Sequence, residues 1–297
     1  MENVLAYYYN INIDKTNKIN NNYYFFHKNN NYVFHIYERE IEEAEELYDL
    51  NEYIRSLRLP SYKIILTNQN NILVEYEKNF YVLMIMPNIN NRIIKYDDLK
   101  IKIPIQKEYK YINKSNWKGL WERKVDYIEN QFFQTKNKYP IISENINYYI
   151  GMWENAISYN IDNTKAQSTK FLSTRRIKID TDLIALLNPL EFVIDTKERI
   201  IGDYLKSFVM NENYTKLRLE QMLNTEKFTK EEIINLLSRI LFPSYYFDLY
   251  ESIINNKKSE KEISKIDNKN IIQLINIIGE KYRNYNIPII YWIKKEE

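Results

Sequence analysis

Two stretches of this 297-residue chain bring together acidic and basic side chains that could do chemistry. Phe192-Val193-Ile194-Asp195 is an apolar run that delivers a carboxylate at its end, and Asp203 follows two helical turns later. Phe171 to Ile177 leads into Arg175-Arg176, with Asp180 and Asp182 just beyond. A carboxylate that closes a strand can hold a divalent cation or cap the next helix, and for Asp195 both readings stay open. A carboxylate can also accept a proton, which a permanently protonated guanidinium cannot do. Other chemistry is scarce. Without cysteine there are no disulfides, thiolate metal sites or thiol nucleophiles. The two histidines, His27 and His35, exclude a His-rich metal centre. A Ser-His-Asp triad would need one of them, and both lie in strand-like sequence.

The elements that must position these groups follow from periodicity. Val4–Ile11, Tyr23–Phe26 and Tyr32–Tyr37 are aromatic and β-branched, with Asn-rich breaks at Asn20–Asn22 and Asn29–Asn31, so they predict strands in hairpin order. Arg39 to Leu57 predicts a helix: Ile41, Ala44, Leu47, Tyr48, Ile54 and Leu57 share a face, and glutamates spread around the rest, the pattern of a solvated face. Tyr62–Thr67, Ile72–Tyr76 and Phe80–Met86 predict three more strands, the last ended by Pro87. Beyond it the pattern turns helical. Asn116–Phe133 is one helix, and Ser143 is the expected N-cap of the next. Asn160 to Lys170 reads as irregular, and Leu183 to Ile194 as buried strand or turn. Thr229-Lys230-Glu231-Glu232 is a capping box that opens a helix to Leu241, and Asp267 starts a last helix to about Tyr282. The boundary is expected near Pro87–Asn90, giving a sheet-plus-helix domain of residues 1–88 and a helical domain of 89–297.

Composition narrows the partners. A net charge of +2 shows no strong field toward nucleic acid or an acidic membrane. The Lys- and aromatic-rich stretch Lys107–Lys118 reads more simply as surface beside a Trp-anchored helix. No apolar run reaches the roughly 18–20 residues that cross a bilayer. Met1–Asn10 lacks a basic start followed by an apolar stretch, so no secretory leader is expected and the protein is expected in the cytoplasm. Abundant Asn, Ile, Lys and Tyr with only 4 Gly and 7 Pro fit AT-rich coding better than an aggregating tract, because the Asn residues interrupt well-patterned elements.

The wording of particular segments adds a resemblance. YVFHIYEREIEEAEELYDLNEYIRSL and YKIILTNQNNILVEYEKNFYVLMIMPN, then Ile142–Tyr159, Asn188–Phe208 and Phe242–Glu251, are similar to the spore-coat kinase-like proteins (the CotS/YutH group), relatives of aminoglycoside and choline phosphotransferases. The resemblance implies an α+β, protein-kinase-like fold in two lobes, the smaller an antiparallel sheet with one helix. It implies an active site in which a third-strand Lys pairs with a helix Glu, a loop Asp orients the substrate hydroxyl, and an Asn and another Asp hold magnesium.

Carried onto this chain, that pattern is broken. His35 stands at the Lys position, and Lys28 could replace it only by unusual geometry. The helix Glu could be Glu42, Glu43 or Glu46, with Glu43 assigned to the degenerate nucleotide site alongside His35. No glycine lies between Asn12 and Asn22, where a phosphate-covering loop would be. Arg175 or Arg176 takes the place of the catalytic Asp, reversing its charge, and Asp180 falls near the Asn position; Asp182 is the one displaced base on offer. Asp195 matches the metal-binding Asp, and Asp203 the Asp that braces the loop. An ion pair from Arg175 or Arg176 to Asp195 or Asp203 is the expected filling of the old site. The resulting expectation is a pseudokinase scaffold in or near the spore coat, bound to other proteins such as coat components, with no nucleic-acid partner and no cofactor. The alternative is a divergent small-molecule phosphotransferase using Mg-ATP, Asp195, Asp180 and a relocated base.

Overall fold

The computed structural model describes residues 1–100, 103–160, 169–212 and 214–287; of the stretch expected to be irregular, residues 161–168 lie outside the described residues. The chain opens with a helix, α1 (Glu2–Tyr9), where a strand was expected. Leu5 and Tyr9, one turn apart, are its buried residues, and packing them on the sheet overrides the strand preference of Tyr7-Tyr8-Tyr9. Asn10, at φ 54°, closes α1: its N–H and that of Ile11 donate to the Ala6 and Leu5 carbonyls, a Schellman ending.

Six strands follow: β1 (Asn17–Ile19), β2 (Asn22–His27), β3 (Asn30–Ile36), β4 (Lys63–Ile65), β5 (Val74–Tyr76) and β6 (Asn79–Ile85). They form one antiparallel sheet in the order β1-β2-β3-β6-β4, with β5 also on β6. Because β1 was not expected and α1 replaces the first expected strand, the strand carrying His35 is still third in the chain. Two-residue turns at Lys28-Asn29 and Glu77-Lys78 hold both central residues at positive φ, as twist-matched hairpins require. No glycine has positive φ, whereas ten other described residues do, six of them Asn, the residue that best tolerates that conformation after glycine. One face of the sheet, with Phe34, packs on α1. The other, with Val33, packs on helix α2 (Glu43–Ser56).

The second part is helical around a three-stranded sheet of β7 (Pro104–Ile105), β8 (Lys170–Thr174) and β9 (Phe192–Asp195). Its helices are α3 (Trp117–Thr135), α4 (Pro140–Tyr159), α5 (Leu183–Leu186), α6 (Lys197–Val209), α7 (Lys216–Asn224), α8 (Lys230–Leu241), α9 (Ser244–Ile254) and α10 (Lys269–Lys281). Helix α8 packs against both α4 and α6, and its buried Leu236, Leu237, Ile240 and Leu241 belong to the largest core cluster. The capping box forms as expected: Glu232 N–H donates to Thr229 Oγ1, and Thr229 N–H donates to Glu232 Oε2. Ser143 is not an N-cap. Pro140 opens α4, using a position whose N–H needs no partner, and the Ser143 hydroxyl donates back to the Lys136 and Tyr139 carbonyls. The apolar run Leu183 to Ile194 splits into α5, a short 3-10 turn and β9.

The acidic face of α2, expected to face water, instead grips the segment before α3. Glu43 pairs with Arg39 and with Lys114 Nζ at 2.7 Å. Glu46 accepts from the backbone N–H groups of Lys110, Tyr111 and Ile112 at 2.7, 2.8 and 2.9 Å. Asp49 accepts from Tyr109 Oη and Lys107 Nζ. Two lysines of the basic stretch are thereby matched within the molecule. Beneath these contacts, Ala44, Leu47, Leu50 and Ile54 of α2 share a cluster with Leu190, Phe192 and Ile194, so one core runs through both parts of the chain.

Removing the Glu46 carboxylate would leave the half-buried Ile112 amide without its acceptor and hand the exposed Lys110 and Tyr111 amides to water. Glu46→Ala is expected to lower stability by about 1–2 kcal/mol, from the typical cost of lost hydrogen bonds. Exposed Glu45→Ala should leave urea unfolding unchanged; equal effects from the two would refute the clamp.

Candidate functional site

Asp195 ends β9 with no exposed surface. Trp117 Nε1 donates to both of its oxygens, at 2.9 and 3.0 Å, Thr196 N–H donates to Oδ1 at 2.8 Å, and Arg199 Nη1 donates to Oδ2 at 2.9 Å. Local sequence explains much of this. The apolar Phe192-Val193-Ile194 buries β9 in the shared core, and α6 begins two residues after Asp195, so Arg199 lies four residues on and faces back to it. Complete burial raises the Asp195 pKa above the usual carboxylate range, against the opposing pull of Arg199 and Trp117.

One turn farther along α6, Asp203 takes both Nε and Nη2 of Arg239 from α8, at 2.9 and 2.8 Å. This is the fork geometry that suits guanidinium to carboxylate. Burial works against the Asp203 charge, but Arg239, with Lys206 and Arg199 behind it, holds the pKa below the usual range. The Arg239 guanidinium also lies over Trp117 and Trp121, 5.5 and 5.8 Å from their ring centres. Gly202 makes the approach possible, since a Cβ there would lie 3.0 Å from Arg239 Cγ. Lys206 completes the face; its Nζ donates to the Arg239 and Phe242 carbonyls at the end of α8. Its burial lowers its pKa to about 7, opposed by Asp203.

The expected site residues fall apart into three places. His35 lies on the α2-facing side of β3, half-buried, with Nδ1 2.6 Å from the Ile36 carbonyl. Glu43 points to Arg39 and Lys114 instead, and Arg39 Nη1 continues to the Leu190 and Phe192 carbonyls at 2.9 and 2.7 Å. Lys28, at a hairpin tip, is far from any such pairing in the sheet register. Arg175, Arg176 and Asp180 are exposed on the loop after β8. The expected ion pair from Arg175 or Arg176 is therefore corrected: the cations on Asp195 and Asp203 are Arg199 and Arg239, because α6 and α8 reach these carboxylates from inside the core, whereas the loop turns outward. Asp182 precedes α5 without a side-chain capping bond. Among the described residues, no three His, Asp or Glu side chains converge as a metal site would need.

Two cavities border this region. An apolar one of about 260 Å³ is lined by residues such as Ile54, Leu99, Leu172, Leu186 and Phe192. A polar one of about 640 Å³ is lined by the loop 175–180 together with Asp203, Lys206 and Arg239. Neither includes His35, Glu43 or Asp195. Trp117, Arg199, Lys206 and Arg239 went unnoticed in the sequence. The spacing of Arg199, Asp203 and Lys206 on one helical face could have flagged three groups that need partners, but Arg239 and Trp117 come from distant segments.

Glu198, buried in the first turn of α6, gives this region a pH dependence. Burial raises its pKa from 4.5 to about 7, despite the Thr196 hydroxyl and its own amide. Between those values the folded chain holds a proton that the unfolded chain releases, so stability falls as pH rises through the interval and stays lowered above it. Glu198→Gln should therefore stabilise the protein more at pH ~8 than at pH ~5 in urea titrations. A gain that is equal at both values would contradict the assignment.

Comparison with known proteins agrees with this framework. The structure is similar to a spectinomycin phosphotransferase bound to AMP, with a TM-score of 0.59 and 11% identity over 92% of this chain and 96% of that one. It is similar to an amicoumacin kinase, with a TM-score of 0.58 and 10% identity over 94% and 92%. It is also similar to an aminoglycoside phosphotransferase from Alicyclobacillus acidocaldarius, with a TM-score of 0.56 and 7% identity over 92% and 90%. The fold is thus protein-kinase-like, an antiparallel sheet with one packed helix followed by a helical part. In sequence the chain is 26% identical to the endospore coat-associated protein YutH of Bacillus subtilis (strain 168), over 85% of this chain and 83% of that one. The family model described as "Spore coat putative kinase YutH" matches residues 2–281. With that match spanning nearly the whole chain, the protein belongs to the YutH family of spore-coat kinase-like proteins.

Proposed function

We propose that this chain is a pseudokinase of the endospore coat: a kinase-like scaffold that binds other coat proteins and does not transfer phosphate. The observation that carries the reading is the state of Asp195. Both oxygens accept from protein N–H donors, one of them a guanidinium at 2.9 Å, and no surface is exposed. Magnesium requires near-octahedral oxygen ligands and keeps several waters. Asp195 could serve it only by giving up Arg199 and Trp117, so these residues do not fit a magnesium–nucleotide complex. Two further features support the reading. The exposed Arg175 and Arg176 offer no proton acceptor at the catalytic-loop position, and Glu43 is committed to Arg39 and Lys114. Association with the coat rests on family membership and on the Bacillus subtilis relative, which is itself described as endospore coat-associated. No helix among the described residues is long and apolar enough to cross a membrane.

Thermal unfolding with millimolar ATP, with and without magnesium, tests the proposal together with an ATP-turnover assay. A ligand that binds only the folded state stabilises it by RT ln(1 + [L]/Kd). No magnesium-dependent shift and no turnover are expected. Turnover, or a magnesium-dependent shift that disappears in Asp195→Asn, would instead establish an active phosphotransferase.

A further inference from the structure

We propose that the polar cleft beside the degenerate loop binds a small anion bearing two phosphate or carboxylate groups. The inference goes beyond the scaffold reading and requires no phosphoryl transfer. The cleft, about 640 Å³, lies between the loop 175–180, the C-terminal half of α6, the start of α9 and residues near Lys258 and Ile266. Small-molecule sites commonly measure about 300–1,000 Å³. Its basic lining residues are Arg175, Arg176, Lys178, Lys206, Arg239 and Lys258, and its acidic ones Asp180, Asp203, Asp248 and Glu262; with Lys206 only partly protonated near neutral pH, the excess is between one and two positive charges. Two of the carboxylates are already matched: Asp203 by Arg239, and Glu262 by Lys265 at 2.6 Å. Against the remaining Asp180 and Asp248 stand the three cations of the loop, with Lys206 at the floor and Lys258 at the far side. A ligand with two anionic groups restores the balance.

The loop is built to present those cations. Arg175 N–H donates to the Glu191 carbonyl at 2.8 Å, and its own carbonyl accepts from Arg199 Nη2 at 3.1 Å. Lys178 N–H donates to Thr181 Oγ1 at 2.9 Å, and Ile179 N–H donates to Ser207 Oγ on α6 at 3.1 Å. The backbone is thus anchored to the 3-10 turn before β9 and to α6, while the Arg175, Arg176 and Lys178 side chains are exposed and form no ion pair among the described residues. A fixed backbone with free cationic heads loses little freedom when a ligand arrives. Paired guanidinium groups match phosphate and carboxylate oxygens in a two-pronged geometry that lysine alone does not offer. The same excess of charge disfavours a polycation.

Isothermal titration of the full chain in magnesium-free buffer tests the idea, with fructose 1,6-bisphosphate and succinate as probes. Fructose, spermidine and inorganic phosphate at matched ionic strength are the controls. Saturable binding of at least one two-anion probe is expected, with neither fructose nor spermidine binding. The double variant Arg175→Ala/Arg176→Ala should weaken binding about tenfold or more, the loss expected for two charge-assisted contacts. Because both side chains are exposed, its unliganded melting temperature should match the parent, which separates lost binding from lost folding. Absence of saturable binding by either probe would overturn the proposal, as would affinity unchanged in the double variant, inorganic phosphate binding as tightly as the bisphosphate, or binding of spermidine. Without magnesium, the titration leaves the question of nucleotide turnover to its own test.

Discussion

A buried carboxylate must be surrounded by donors, and this requirement organises the centre of the molecule. Asp195 has none of its surface exposed, and its donors come from three places: Trp117 on α3, the Thr196 amide, and Arg199 on α6. Asp203 repeats the demand two turns later and is met by Arg239 from α8, whose other flank lies on Trp117 and Trp121. Each group is thus held by the neighbour of the next, and β9, α3, α6 and α8 are fixed relative to one another. Breaking a buried pair by removing one member leaves an uncompensated charge, which costs far more than the pair contributes.

A second set of carboxylates does similar work at the junction of the two parts. Glu43, Glu46 and Asp49 on successive turns of α2 hold the segment Lys107–Lys114, and Arg39, four residues before α2, reaches the Leu190 and Phe192 carbonyls at the start of β9. Below them the apolar cluster is continuous between α2 and β9. In a working kinase the helix Glu is a movable partner for a phosphate-binding Lys. In this chain the acidic face of α2 is tied to the second part, and His35 on β3 holds its ring nitrogen against a backbone carbonyl.

Scarcity of glycine shapes the backbone in the same self-contained way. The left-handed positions at hairpins and helix ends, where glycine is the usual choice, are filled by Asn10, Asn20, Asn29, Asn70, Asn256 and Asn286 and by four charged residues. The four glycines lie in helices, and at Gly202 the missing side chain lets Arg239 reach Asp203.

Local pattern determined a good deal by itself. Hairpin breaks, the α2 stripe, the capping box at Thr229 and the strand delivering Asp195 are all short-range signals, set by turn chemistry, period and caps. Where local and tertiary preferences compete, the sequence misleads: Val4–Ile11 has strand-forming side chains, yet Leu5 and Tyr9 are worth more packed on a sheet as a helix. The pattern also singled out Asp195 and Asp203, two carboxylates that the fold pairs with arginines. It could not identify their partners. Arg199 lies within reach along the helix, but Arg239 follows Asp203 by 36 residues and Trp117 precedes Asp195 by 78, separations that carry no periodic signal. Which cation neutralises which buried acid is decided only when α3, α6 and α8 close around β9, because burial, and with it the need for a partner, exists only in the folded chain.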